Sequence, residues 1–176
     1  MEAFGAEFAQ AVGASGHTVE HGTLKVRVSN QQWVAAATVG RDDFDLVYLS
    51  YVSAIDWAND VAVGDAPEEP VEERFELLAA IGDVTEGRLV HLSTDLPKDG
   101  ASIATLTDVY PGANWHEREA AEMFNIAFEG HPNLKKIYLP DGFEGFPLQK
   151  SFGLLAREVK PWPGDVDVEG LPGDHE

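Results

Sequence analysis

After residue 126 the chain is broken every few residues, by Gly130, Pro132, Pro140, Gly142, Gly145 and Pro147. Proline removes a backbone donor and fixes φ, and glycine loses more freedom than any other residue on entering a helix or strand. Long regular elements are therefore confined to the first 126 residues. Downstream, only 135–139 reads as a short strand. Pro161, Pro163 and Pro172 then punctuate an acidic ending. The chain divides into a compact α+β domain over 1–126, an irregular docking segment over 127–156 and an extended acidic tail over 157–176.

Within the first part, Phe4, Phe8, Ala11 and Val12 recur at helical spacing, so 2–12 reads as an amphipathic helix ended by Gly13 and Gly16. Residues 24–28 alternate apolar with charged, the mark of a strand with one wet face. Ser29 or Asn30 can cap a helix whose inner stripe is Trp33, Ala36, Ala37 and Gly40. Residues 45–53 read as a central strand and the acidic stretch 56–70 as an exposed loop. Residues 73–81 and 88–94 form an antiparallel pair, joined by a hairpin connection at 82–87. Ser102 opens a helical turn through Leu106, and a longer helix runs from Pro111 to Phe124 with Asn125 as its left-handed cap. This order predicts a mixed, largely antiparallel sheet of about four strands with helices on one face.

Composition narrows the function. There are 31 acidic and 12 basic residues, a formal charge of −19, which excludes a general nucleic-acid binder and argues against electrostatic attachment to anionic lipid. With no cysteine there is no disulfide, thiolate metal site or cysteine nucleophile. No signal peptide is visible in residues 1–10, and the longest apolar run, 46–55, is half a membrane span, so a soluble cytoplasmic protein is the default. The charge is also uneven. Residues 131–160 carry Lys135, Lys136, Lys150, Arg157 and Lys160 against three acids, the one stretch that is not acidic. Irregular backbone, low acidity and Phe143, Phe146 and Phe152 together suggest a docking surface. The alternative is that these aromatics belong to the chain's own core.

The densest ionisable cluster is His116 to Glu122. It fails the zinc-protease pattern, since position 120 is alanine, and holds no Glu-x-x-His pair for a di-iron site. On a helical wheel Glu117 falls in the middle of the stripe of Ala113, Ala120, Ala121 and Phe124. Trp115, Arg118 and Glu122 fall opposite, where Arg118 can pair with Glu122. An inward carboxylate needs partners, and the candidates are Lys135 or Lys136, His131, or backbone N–H groups of the broken segment. It reads as a structural anchor. Its functional alternative is a general base with a raised pKa, in a free-standing acid–base enzyme using Glu117 and His131. No glycine-rich nucleotide loop and no G-x-S-x-G elbow is present.

The run Glu117-Arg118-Glu119, two residues, Glu122, Met123-Phe124, six residues, His131, three residues, Lys135 resembles the signature of the 30 kDa subunit family of NADH:quinone oxidoreductase (respiratory complex I, NDH-1), whose members are designated C in bacteria. Residues 145–152 are similar to the family's Gly-His-Pro-Leu-Arg-Lys-Asp-Phe and depart from it at Phe146, Gln149 and Ser151. The resemblance implies a non-catalytic scaffold in the peripheral arm, on the cytoplasmic side of a bacterial cell membrane. It implies no cofactor in this chain, with FMN and iron–sulfur clusters in partner subunits. Of the other complex I subunits, the one designated D would be the chief neighbour, with those designated B and I nearby. The residues implied in assembly are Trp115, Glu117, Arg118, Glu119, Glu122, His131, Pro132, Lys135, Lys136, Pro147, Leu148 and Lys150. Similar subunits belong to membrane-bound hydrogenases, F420H2 dehydrogenase and photosynthetic NDH-1, which are the alternative settings.

Overall fold

A computed structural model describes residues 1–62 and 64–153. The acidic tail expected at 157–176 and the end of the docking segment, 154–156, lie outside the described residues. The elements are α1 (Glu2–Ala11), β1 (Gly16–Glu20), β2 (Thr23–Arg27), α2 (Trp33–Asp43), β3 (Tyr48–Trp57), β4 (Arg74–Asp83), β5 (Arg88–Leu96), β6 (Ser102–Ala104), α3 (Ala113–Phe124) and β7 (Ala127–Glu129). Five strands form one sheet in the order β1-β2-β5-β4-β3, antiparallel except between β2 and β5. Strands β6 and β7 form a separate parallel pair. The architecture is the expected α+β with a largely antiparallel sheet, but with five strands in the main sheet instead of about four.

The extra strand is β1. Gly16 reads in sequence as a terminator, yet it opens the strand. The turn that follows uses His21 (φ 50°) and Gly22 (φ 78°). Two successive left-handed residues match the right-handed twist of a hairpin. Histidine in the place usually held by asparagine hides that signal. Ser102 does not cap a helical turn: it starts β6, whose partner β7 lies beyond α3 and leaves no local trace. Residues 135–139 are not a strand, because the N–H groups of 137–139 are taken by the Glu122 side chain of α3. Nor does the exposed loop begin at Asp56. Strand β3 continues to Trp57, and Asp56 is buried.

Alternation along β4 separates the two faces of the sheet. Phe75, Leu77, Ala79 and Ile81 point to the helices and are buried. Phe75 meets Phe124 of α3 edge-on at 6.1 Å. Ile81 lies against Gly40 of α2, where an added Cβ would come within 2.9 Å of its δ-methyl. The stripe Trp33, Ala36, Ala37 and Gly40 is buried as its spacing predicts. The three α-helices of the described residues thus cover one face. Gln32 returns its side chain to the Ser29 N–H at 3.1 Å, which steadies the entry to α2.

The other face carries a charged network centred on Glu76, a buried residue. Lys25 Nζ lies 2.5 Å away, and Ser93 Oγ and Trp57 Nε1 donate to the carboxylate at 2.5 and 3.0 Å. Burial pushes this carboxyl up, but the three donors outweigh it and hold it at about 2. A lowered folded pKa stabilises above the unfolded value and is lost as pH falls. Glu76→Gln is therefore expected to be less stable than the parent at pH 7, with the gap closing as pH drops from about 4.5 toward 2. Denaturant midpoints across that range check it, and a constant gap would refute it.

Candidate functional site

The site is built around α3. The helix starts after Pro111-Gly112 and ends on Asn125, which adopts φ 65° and donates its N–H to Ala121 O. One stripe, Ala113, Glu117, Ala120 and Phe124, is buried against the body of the domain. That matches the wheel, including its inward carboxylate, except that Ala121 is half-buried and faces the groove described below.

Glu117 is fully buried. Its carboxylate accepts from Leu106 N–H at 2.6 Å and from the Thr105 hydroxyl. Its main partners therefore come from the segment before the helix. Neither Lys135 nor Lys136, nor backbone N–H of the broken segment, contacts it among the described residues. His131 Nε2 is 4.0 Å away. Asn133 N–H donates to His131 Nδ1 at 3.0 Å, and Nε2 lies 3.1 Å from Asn114 O. An accepting Nδ1 with a donating Nε2–H makes the ring neutral, so the contact with Glu117 is not an ion pair. With no cation near it among the described residues, burial dominates and pushes the Glu117 carboxyl up to about 7; the two hydrogen bonds pull the other way and lose.

Glu122 departs from the wheel. It is buried, and its carboxylate does not pair with Arg118. It accepts backbone N–H from Ile137 at 2.8 Å, from Tyr138 at 3.1 Å and from Leu139. Burial raises its carboxyl, but these three donors and the nearby Lys136 bring it below its ordinary value. The wheel failed because it treats the far side of α3 as solvent, whereas the irregular strip covers it. Arg118 donates instead to Lys135 O at 2.8 Å, and its guanidinium sits 4.8 Å from the ring centroid of exposed Trp115.

Further ties fix the strip. Leu148 N–H donates to Met123 O at 3.2 Å, and Gln149 Nε2 donates to Phe124 O at 2.8 Å. Those carbonyls belong to the last turn of α3, which has no intrahelical donor for them. Lys150 N–H donates at 2.8 Å to Asp56, which also binds Lys98. Lys150 O accepts from Ala62 N–H at 2.8 Å. Glu119 is half-buried and makes no side-chain hydrogen bond or ion pair among the described residues. Pro132 is exposed and Pro147 half-buried. Sequence reasoning missed Thr105, Leu106, Asp56, Lys98 and Gln149 as members of this assembly. For Asp56 a signal existed, since Val52, Ala54 and Asp56 alternate onto one face.

Between α3 and the strip lies an open groove of about 370 Å³. Ile126, Phe143 and Phe146 form apolar wall, and Arg118, Lys135 and Lys136 supply cations. The three phenylalanines of the strip are half-buried, and Phe143 stacks on Phe152 at 5.9 Å. They serve the strip's own packing as well as the groove. Among the described residues no group of three or more histidines and carboxylates is placed to hold a metal ion.

Residues 26–158 match the family described as the 30 kDa subunit of respiratory-chain NADH dehydrogenase. The chain belongs to this family. The NADH-quinone oxidoreductase subunit designated C from Sinorhizobium medicae is 32% identical over 140 residues, a match covering 80% of this chain and 65% of that one. Its namesake from Roseiflexus castenholzii is 35% identical over 140 residues, covering 78% and 74%. The chain thus spans just under two thirds of the length of the first of these relatives. Its fold is also similar to a chain of the membrane-bound sulfane sulfur reductase, an archaeal respiratory membrane complex, with a TM-score of 0.67, 20% identity and coverage of 97% and 98%. Within this 30 kDa family member, the Glu-Arg-Glu helix, Glu122, His131 and the base at Lys135 meet along one helix–strip interface. Gln149 stands where the family pattern has arginine, and its amide still reaches the helix end.

Proposed function

We propose that this chain is a non-catalytic scaffold subunit in the peripheral arm of an NADH:quinone oxidoreductase, whose whole assembly moves electrons from NADH to quinone and translocates protons. In this reading it carries no cofactor, and FMN and iron–sulfur clusters sit in partner subunits. The chief neighbour is the complex I subunit designated D, with those designated B and I nearby. The complex attaches the chain peripherally on the cytoplasmic side of a bacterial membrane. No helix among the described residues is long and apolar enough to cross one.

The observation that carries the reading is how the signature residues are spent. Glu122, Arg118 and His131 bind backbone groups and hold the strip on α3. The side chains of Glu117 and His131 are both fully buried, so no substrate can reach the pair. That favours an anchor over an acid–base enzyme.

Mass spectrometry of native membranes after gentle separation tests the reading. The chain is expected in one large assembly that oxidises NADH. Migration only as a free chain, or only in an assembly that does not oxidise NADH, would refute it.

A further inference from the structure

Six of the cations in the described residues, Lys25, Arg27, Arg41, Arg74, Arg88 and Lys98, have a carboxylate within 4.0 Å. Arg118, Lys135, Lys136 and Lys150 have none among the described residues, in a chain with 31 acids. Three of these four line the groove. The one acid at its wall, Glu122, already accepts three backbone N–H groups from the strip. The groove is therefore a positive site on a strongly negative chain. Exposed apolar side chains accompany it: Leu134 of its lining is 42% exposed, and Trp115, beneath the Arg118 guanidinium, is 61% exposed; Leu148, farther along the strip, is 49% exposed.

We infer that the groove receives an acidic segment of a partner protein, with carboxylates set against Arg118, Lys135 and Lys136 and an apolar side chain against Phe143, Phe146 and Ile126. Charge complementarity selects this occupant. A second copy of the chain would bring like charge to the groove's surroundings, since the surface beyond the strip is acidic. Trp115 and Arg118 supply the residue types that dominate interface energetics, and Leu134 and Leu148 enlarge the apolar contact. The walls are pinned to α3 and to Asp56, so docking orders little of this chain. The inference rests on the reading that the chain works inside a larger assembly.

The test uses native membranes and a carbodiimide, which joins a lysine amine to a carboxylate in direct contact. After digestion, Lys135 or Lys136 is expected in an isopeptide link to Asp or Glu of another chain. Links confined to this chain's own acids at 165–176, or none at Lys135 and Lys136 while other lysines of the assembly link between chains, would overturn the inference. A second arm makes Lys135→Glu, which leaves Lys136 beside Glu122. Chain recovered in the assembly is expected to fall at least tenfold while the purified chain's Tm is unchanged, and Lys135→Arg is expected to keep parental recovery. Unchanged recovery in the Glu variant would overturn the inference. A link to a partner whose assembly does not oxidise NADH would leave the groove's role standing and sink the function proposed above.

Discussion

Glu117→Gln is expected to make the chain more stable than the parent at pH 8 and no more stable at pH 4.5. The carboxyl is held at about 7 in the fold, above its ordinary 4.5. A raised folded pKa favours the protonated form, so the acid's contribution is complete below the unfolded pKa and is lost as pH rises through 7. That shift corresponds to about 3 kcal/mol at pH 8. Glutamine imitates the protonated acid. Its oxygen can accept from Leu106 N–H, and its amide can donate to the Thr105 hydroxyl, which is then free to donate to Thr107 Oγ1 at 3.0 Å. Glu117→Ala is a different experiment. It strands a buried N–H and leaves a cavity, so at pH 5 it should lose about 3 kcal/mol. Denaturant titrations of the three proteins at pH 5 and pH 8 separate these effects. Parent and Gln variant with parallel pH profiles would show that the carboxyl is not held neutral. If the anchor reading is right, Glu117→Ala also lowers assembly into the complex more than it changes quinone affinity. Normal assembly with lost turnover would point to a catalytic role.

Glu122→Ala should release the strip while leaving the sheet folded. Three backbone donors at 137–139 lose their shared acceptor, and bonds to a charged group contribute more than neutral ones. If the local cost is about 3 kcal/mol, the open form becomes roughly a hundredfold more populated, and tryptic cleavage after Lys135 or Lys136 accelerates in proportion. Limited proteolysis under native conditions measures this, with the far-ultraviolet spectrum as a check on the sheet. Cleavage at the parental rate would show that the other ties suffice. Because the Glu122 carboxyl is lowered in the fold, the same release is expected in the parent as pH falls below the ordinary carboxylate range.

The elements with strong local signals were legible in the sequence. The α2 stripe, the β4–β5 hairpin and the αL cap at Asn125 each depend on a period or turn residue within a few positions. The parallel β6–β7 pair joins segments on either side of α3, so no window of sequence contains its cause. The inward Glu117 followed from helical period alone. Its partners did not, because Thr105 and Leu106 are placed by tertiary packing. Glu122 was misread for the same reason as 135–139. Each segment was judged against water, and each in fact satisfies the other: the carboxylate takes the N–H groups that a strand would have used.

The bond from Lys150 N–H to Asp56 closes a loop of 94 residues. A ribosome must therefore release nearly the whole described chain before that tie can form. The sheet's hairpins can pair much earlier, since their contacts are local. The strip is thus pinned only after the sheet has paired, and in the scaffold role proposed above a nascent chain stopped before residue 150 would present a folded body without a usable mating face.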